Sequence, residues 1–289
     1  MNGSGRLNKL KDSVAILDRL ASHCSKARKL HQNHRVPSPL NKLATPSEDS
    51  QRSLLLQIKD ASLLRGTNPI FSRLSLEINE RRVGLIGDNG AGKSSLFRML
   101  CGLDVPQSGS VMVRDLQAHQ VSKRRPGLVG MMFQNPDDQI IFPTVAEELV
   151  LGFSPSGISR QDGIARSRSF LESRGLAHWS DRSISSLSQG QRQHVCWLAL
   201  MIASPELLLL DEPFASLDLP GQALLSIDIA RACQQVIVST HLLDHVRHFE
   251  RVIWLDKGQI RDDGPGSRVC ADYQADVAAR ISAQALSFQ

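Results

Sequence analysis

The chain has 289 residues, of which 41% are apolar and 22% charged, a balance that supports an ordinary globular core and excludes a disordered or fibrous class. Aromatics at 4% are too sparse for a base-stacking nucleic-acid surface, and five cysteines without a C-x-x-C pair exclude a disulfide framework or a zinc site of that spacing. The net charge of +5 is local: residues 1–52 hold ten Lys/Arg against four Asp/Glu, while residues 53–289 hold 24 against 25 and offer no basic stripe for nucleic acid.

Residues 1–52 read as an appended N-terminal extension, poorly ordered, with Pro37, Pro39 and Pro46 near its end. Within it Leu7, Leu10, Val14, Leu17, Ala21 and Cys24 alternate at spacings of three and four, so a short amphipathic helix is the other reading. From residue 53 the pattern turns to short β-like runs: Leu54–Ile58, Leu74–Ile78 and Val83–Ile86. Ser94–Leu103 reads as a helix, and Ser110–Val113 and Gly127–Phe133 as strands. Residues from about 144 to 204 are helical in pattern and form an inserted subdomain. Leu207–Leu210, Val236–Ser239 and Val252–Leu255 are apolar blocks too short for helices and suited to strands buried on both faces. The expected fold is therefore α/β, with a mostly parallel, helix-covered core sheet and an antiparallel β portion. Its main domain spans residues 53–265, followed by a C-terminal helical tail over 266–289. The richest apolar run, Val195–Leu210, is broken by Ser204, Pro205 and Glu206, short of the ~18 uninterrupted residues a membrane span needs.

Gly87-Asp88-Asn89-Gly90-Ala91-Gly92-Lys93-Ser94, with Ser95 behind it, matches G-x-x-x-x-G-K-S between a strand and a helix. Small residues let successive backbone N–H groups curl around the phosphates of ATP, and the helix N-terminus adds its dipole. Lys93 supplies a cation and Ser94 a hydroxyl for Mg²⁺. Leu207–Leu210 run into Asp211-Glu212-Pro213, which places two carboxylates at the carboxyl end of a buried strand, where α/β sheets bind ligands. Asp211 suits Mg²⁺ through its water shell, and Glu212 suits the attacking water as a base.

Leu187-Ser188-Gln189-Gly190-Gln191 lies about twenty residues before that strand and opens a helix. With this stretch the chain resembles the ABC ATPase family, which implies a P-loop NTPase fold; its L-S-Q-G-Q stands where that family carries L-S-G-G-Q, with Gln189 in place of the first glycine. The resemblance covers about residues 53–265. It implies a homo- or heterodimer with a second ATPase subunit, in which Ser188, Gln189, Gly190 and Gln191 close in trans over the partner's ATP. It further implies that Asp218, in Ser216-Leu217-Asp218, crosses the subunit interface, and that His241 senses the γ-phosphate. Gln134 would reach Mg²⁺ and couple the site to a membrane partner. Arg65 stands where the family carries an aromatic against adenine, and a guanidinium plane can stack on a base.

Gln134-Asn135-Pro136-Asp137-Asp138-Gln139, continuing through Ile140, Ile141 and Phe142 to Glu147 and Glu148, resembles the energy-coupling factor importers of vitamins and metal ions. Within that group the chain looks most like the ATPase of biotin importers, with cobalt and nickel versions as relatives. The implied partners are a transmembrane coupling protein and a small substrate-capturing membrane protein, without nucleic acid, at the cytoplasmic face of the membrane. The acidic, apolar segment 137–148 offers carboxylate acceptors to cationic helices of such a partner. The competing reading is a non-transport ABC ATPase acting on nucleic acid or the ribosome, disfavoured by the near-neutral body and the single phosphate loop.

Overall fold

The computed structural model describes residues 56–287; the N-terminal extension and the helix read over Leu7–Cys24 lie outside them. Strands β1 (Leu56–Arg65) and β2 (Asn68–Ile78) form an antiparallel hairpin about twice the length of the runs legible in the sequence. Register shifts after Ile58, Ala61 and Leu63 break the apolar alternation, so periodicity shows only part of each strand. β3 (Arg82–Ile86) leads into α1 (Lys93–Leu100), then β4 (Ser108–Val113), the two-residue β5 (Leu116–Gln117) and α2 (Ala118–Arg124). β6 (Val129–Met132) precedes the helical insertion, which contains α3 (Val145–Val150), α4 (Arg160–Ser173) and α5 (Gln189–Ala203). β7 (Leu207–Asp211), α6 (Leu219–Arg231), β8 (Gln235–Ser239), β9 (Arg251–Asp256), β10 (Gln259–Gly264) and α7 (Gly266–Ser287) complete the chain.

The strands make two sheets. A four-stranded antiparallel sheet has the order β2-β1-β4-β5, and a six-stranded sheet has the order β10-β9-β3-β8-β7-β6. In the second, β9, β3, β8, β7 and β6 are parallel and only β10 runs against its neighbour. Alternate residues of the parallel strands serve different layers, as the two-residue period of a strand requires. Leu85, Leu207, Leu209, Ile237 and Leu255 pack with the antiparallel sheet and with Leu96, Phe97 and Leu100 of α1. Ile86, Leu208, Leu210, Val238 and Trp254 pack the other way, with Trp197 of α5, Ile229 of α6 and Val269 of α7. All four leucines of β7 are fully buried, each contributing about 1.5–3 kcal/mol of transfer free energy. The insertion has a small core of its own, around Val145, Leu149, Leu171, Leu187, Val195 and Leu198.

This topology brings the carboxyl ends of β3, β8, β7 and β6 side by side, in that order. The chain leaves them at Gly87, Thr240, Glu212 and Phe133 respectively, which gathers the functional loops along one sheet edge. Among the described residues, no helix is long and apolar enough to cross a membrane.

Candidate functional site

The phosphate loop springs from β3 and closes onto α1. Gly87 has φ +141°, and a Cβ there would lie 2.1 Å from the Leu255 carbonyl oxygen; Gly92 has φ +110°, with the Phe71 ring 2.9 Å from its added Cβ. Both positions demand glycine, for conformation and for space together. Lys93 is buried, and its Nζ donates to the carbonyls of Gly87 at 2.7 Å and Asp88 at 3.2 Å. Burial lowers its pKa, while the charges of Glu212, Asp211 and Asp88 raise it. Ser94 is exposed at the first turn of α1, a helix with no acidic residue in that turn to oppose an anion.

Asp211 ends β7 opposite Ser239 of β8, 4% exposed. Glu212, the next residue, takes the left-handed conformation at φ +48°, unusual for a non-glycine residue and a strained way to aim a side chain. Its backbone N–H donates to the Ser239 carbonyl at 2.9 Å, which holds that turn in place. Its carboxylate accepts from the His241 backbone N–H at 3.3 Å through Oε2. Oε1 lies 3.0 Å from His241 Nε2, yet is buried without a hydrogen bond, so the two are close but misaligned. Burial pushes the Glu212 carboxyl up to about 7, against the opposing pull of the His241 backbone N–H, of the Lys93 charge and of Thr240. Burial and the nearby Lys93 push His241 the other way, toward the neutral imidazole. A buried carboxylate beside an imidazole, with a proton affinity near neutrality, is a good acceptor for the proton of a water molecule.

On α5 the first turn carries the signature. Ser188 is its N-cap: Ser188 Oγ accepts from the Gln191 backbone N–H at 3.2 Å, and the Gln191 side chain accepts from the Ser188 backbone N–H at 3.0 Å. Capping uses a lone pair of the hydroxyl and leaves its proton free to donate. Gln189 is exposed at the first helical position. A Cβ at Gly190 would stand 3.1 Å from the Ser216 carbonyl oxygen, so glycine here lets the helix approach the loop after β7. In that loop, the Asp218 carboxylate caps α6 by accepting from the Gly221 backbone N–H at 3.0 Å. Together the signature and this loop border an open cleft of about 640 Å³, with Trp179, Trp197 and Leu224 in its wall; no residue of the phosphate loop lines it.

Gln134 is exposed just beyond β6, next to the strand that ends in Asp211. Behind it Gln139 Oε1 accepts from the Phe133 backbone N–H at 3.1 Å and ties the loop into a compact turn. Arg192 of α5 pairs with Asp137 at 3.1 Å, a link from the signature helix to the Gln134 loop that no motif in the sequence announces. The acidic segment is not a free row of acceptors as expected. Glu148 is buried and accepts from the backbone N–H groups of Ile141 and Phe142 at 2.9 and 2.8 Å, and Glu147 is held by Thr144 and Arg160. Glu148 thereby shapes the loop, because buried backbone N–H groups must find acceptors. Ile141, by contrast, is 75% exposed. Arg65, at the end of β1, is exposed and lies 3.9 Å from Asp104.

Two residues absent from every motif also reach the phosphate loop. Tyr273 and Arg280 of α7 donate to the Asp88 carboxylate. The only hint in the sequence is that Tyr273 is the sole tyrosine of the chain.

A family profile described as ABC transporter matches residues 71–215, from the second strand through the loop after Glu212. The chain is also 41% identical over 220 residues to the biotin transport ATP-binding protein BioM of Rhodobacter capsulatus, across 76% of this chain and 94% of that protein. This chain belongs to the ABC transporter ATPase family. Such proteins hydrolyse ATP to drive transport, and the chain is an ATPase of that kind. The ABC relatives include BioM of Rhizobium etli, 33% identical across 76% of this chain and 97% of that protein. Among solved structures, cbiO1 of Clostridium perfringens, described as part of the ABC transporter complex cbiONQ, shares the fold with a TM-score of 0.65 at 22% identity, over 79% of this chain and 95% of that one. The dimeric ATP-binding cassette MJ0796, solved with ADP and Pi, shares it with a TM-score of 0.62 at 24% identity, over 73% and 98%. The expected ABC ATPase fold, with its parallel core sheet, antiparallel portion and helical insertion, is the one observed.

Proposed function

We propose that the chain is the ATPase subunit of an energy-coupling factor importer, with biotin as the favoured substrate, working as a dimer at the cytoplasmic face of the membrane. The observation that carries the chemistry is Glu212, buried, strained at φ +48° and with its Oε1 3.0 Å from His241 Nε2. In this reading Glu212 accepts the proton of the attacking water and His241 holds that water against the γ-phosphate. Lys93 and the loop Gly87–Ser95, with Asn89, Gly90 and Ala91 among its backbone donors, bind the phosphates of ATP. Arg65 stacks on adenine.

Among the described residues, no group of three or more His, Cys, Asp and Glu could hold a metal by itself. Mg²⁺ keeps waters and phosphate oxygens as ligands and needs few protein groups. Ser94, Asp211 and Gln134 are the residues that would hold it, and its charge would polarise the transferred phosphoryl group.

Ser188 and the α5 N-terminus, with Gln189, Gly190 and Gln191, serve the nucleotide of the second subunit, and Asp218 sits at that junction. An unspent hydroxyl proton on Ser188 and a cleft lined without the phosphate loop both support action in trans. The domain limits 53–265 and 266–289, with the helical subdomain at 144–204, belong to the same reading. A transmembrane coupling protein would dock by the exposed Ile141 and its loop, with a separate substrate-capturing protein beside it. Biotin rests on the extent of the match to BioM, which spans nearly all of that protein.

Uptake of radiolabelled biotin, cobalt and nickel by cells carrying the complete transporter tests the proposal. Biotin uptake abolished by Glu212→Gln is the expected outcome. Uptake of a metal ion alone would replace biotin, and copurification with ribosomes or DNA in place of membrane proteins would sink the importer reading.

A further inference from the structure

The second residue of the phosphate loop, Asp88, carries a carboxylate where the chain must receive a polyanion. Its field reaches Lys93, the cation of the loop, whose Nζ lies 3.2 Å from the Asp88 carbonyl. Left unpaired, this carboxylate would compete with phosphate for Lys93 and repel the incoming charge. It is not unpaired. Tyr273 Oη donates to Asp88 Oδ1 at 2.8 Å, and Arg280 donates to Oδ2 at 2.6 Å and to Oδ1 at 3.3 Å.

Both donors come from α7, at positions seven apart and therefore on one face of the helix. Their placement is itself supported. Asp276, one turn before Arg280, pairs with it at 2.8 Å and also with Arg261. The Arg261 guanidinium lies 4.3 Å from the Trp254 ring centroid, and Trp254 meets the Tyr273 ring edge-on at 5.1 Å. Trp254 of β9 pairs in register with Ile86, the last residue of β3 before the loop. The clamp thus rests on the same sheet edge that launches the loop. The Arg280–Asp88 pair is about half exposed on both sides, and such pairs add little to global stability.

From this geometry we infer that Tyr273 and Arg280 are positioning residues for nucleotide binding: they neutralise Asp88, so that Lys93 and the loop amides face the triphosphate without a competing carboxylate. This rests on the nucleotide reading of the loop given above. Arg280 acts through Asp88 and does not touch the substrate.

The test is a double-mutant cycle on the full chain, with equilibrium binding of ATP, ADP and AMP as the readout. Arg280→Ala weakens ATP binding about 5- to 10-fold, ADP less and AMP least, because the penalty scales with phosphate charge. Tyr273→Phe weakens ATP about 2-fold, the loss of one hydrogen bond to a carboxylate partly compensated by water. The ATP effect of Arg280→Ala shrinks in 0.5 M salt, where charges separated by several ångströms are screened. In the Asp88→Asn background, Arg280→Ala has no effect on ATP affinity, since no carboxylate remains to neutralise. Parental affinity in Arg280→Ala overturns the inference. So does a loss that persists undiminished in the Asp88→Asn background, or that is equal for ATP and AMP, for then Arg280 acts on the nucleotide directly or on the fold. Failure of the parental chain to bind ATP would instead defeat the nucleotide reading itself.

Discussion

The sheet edge and the signature helix, the two regions to which the proposed mechanism assigns phosphate chemistry, are built in opposite ways. At the sheet edge Lys93, Asp211 and Glu212 are buried, and Glu212 is held at φ +48° by the strand beside it. On the signature helix Ser188 and Gln189 are exposed, and the hydrogen bonds between Ser188 and Gln191 are those of a well-formed helix start. Burial and strain mark groups whose proton affinity and aim must be set in advance. Exposure marks groups that complete their contacts only when another surface arrives. On the proposed reading, one chain holds a preorganised half and a half completed by a second subunit, and perturbing each should produce a different kind of defect.

The largest effect belongs to the buried half. Glu212→Gln should lower ATP turnover by about 10²- to 10⁴-fold with ATP still bound, as loss of a general base does. Steady-state hydrolysis alongside nucleotide binding checks it, and turnover at the parental rate would remove Glu212 from its role. Lys93→Ala should act on binding instead, weakening ATP by about 30-fold or more through loss of a desolvated charge contact, measurable by calorimetry.

The same burial has a stability consequence. The Glu212 carboxyl titrates near 7 in the fold against 4.5 when unfolded, so between those values the folded state holds a proton that the unfolded chain has released. Stability contributed by this site therefore falls as pH rises from about 4.5 to about 7 and is level above, by at most about 3 kcal/mol. Glu212→Gln should abolish that slope, making the variant more stable than the parent at pH 8 and not at pH 4.5. Denaturant melts at the two pH values give the difference, and parallel parental and variant profiles would show that burial does not set this proton affinity.

In the exposed half the expected effects are smaller and differ in kind. Ser188→Ala should cost about 1 kcal/mol of stability through loss of the cap. It should lower turnover while leaving the affinity of the dilute single subunit for ATP unchanged. A drop in that affinity, measured at concentrations too low for association, would mean that Ser188 serves its own subunit's nucleotide and would erase the contrast between the halves.

Much of this was legible in the chain itself. Glycines and lysine in fixed order, Asp211-Glu212 after four leucines, and a serine opening a helix are local patterns with local causes: phosphate needs backbone amides, a buried strand needs apolar runs, and a helix needs a cap. The hairpin β1–β2 was only half legible, since bulges interrupt the alternation that periodicity detects. Glu147 and Glu148 are not open to a partner as their charge suggests, because composition does not show which groups that charge satisfies: backbone amides for Glu148, and the Thr144 hydroxyl and Arg160 for Glu147.

The primary structure by itself determined the family, the G-x-x-x-x-G-K-S and Asp211-Glu212 patterns, and the core strands β3, β7, β8 and β9. These depend on residues close together in sequence, where spacing and geometry are nearly the same thing. Only the tertiary structure decided that β3, β8, β7 and β6 align their loops on one edge, that Oε1 of Glu212 lies 3.0 Å from His241 Nε2, and that Arg280 reaches back to Asp88. Those facts join residues up to 192 positions apart. No local pattern encodes such a meeting, because it depends on how the whole sheet orders and twists its strands.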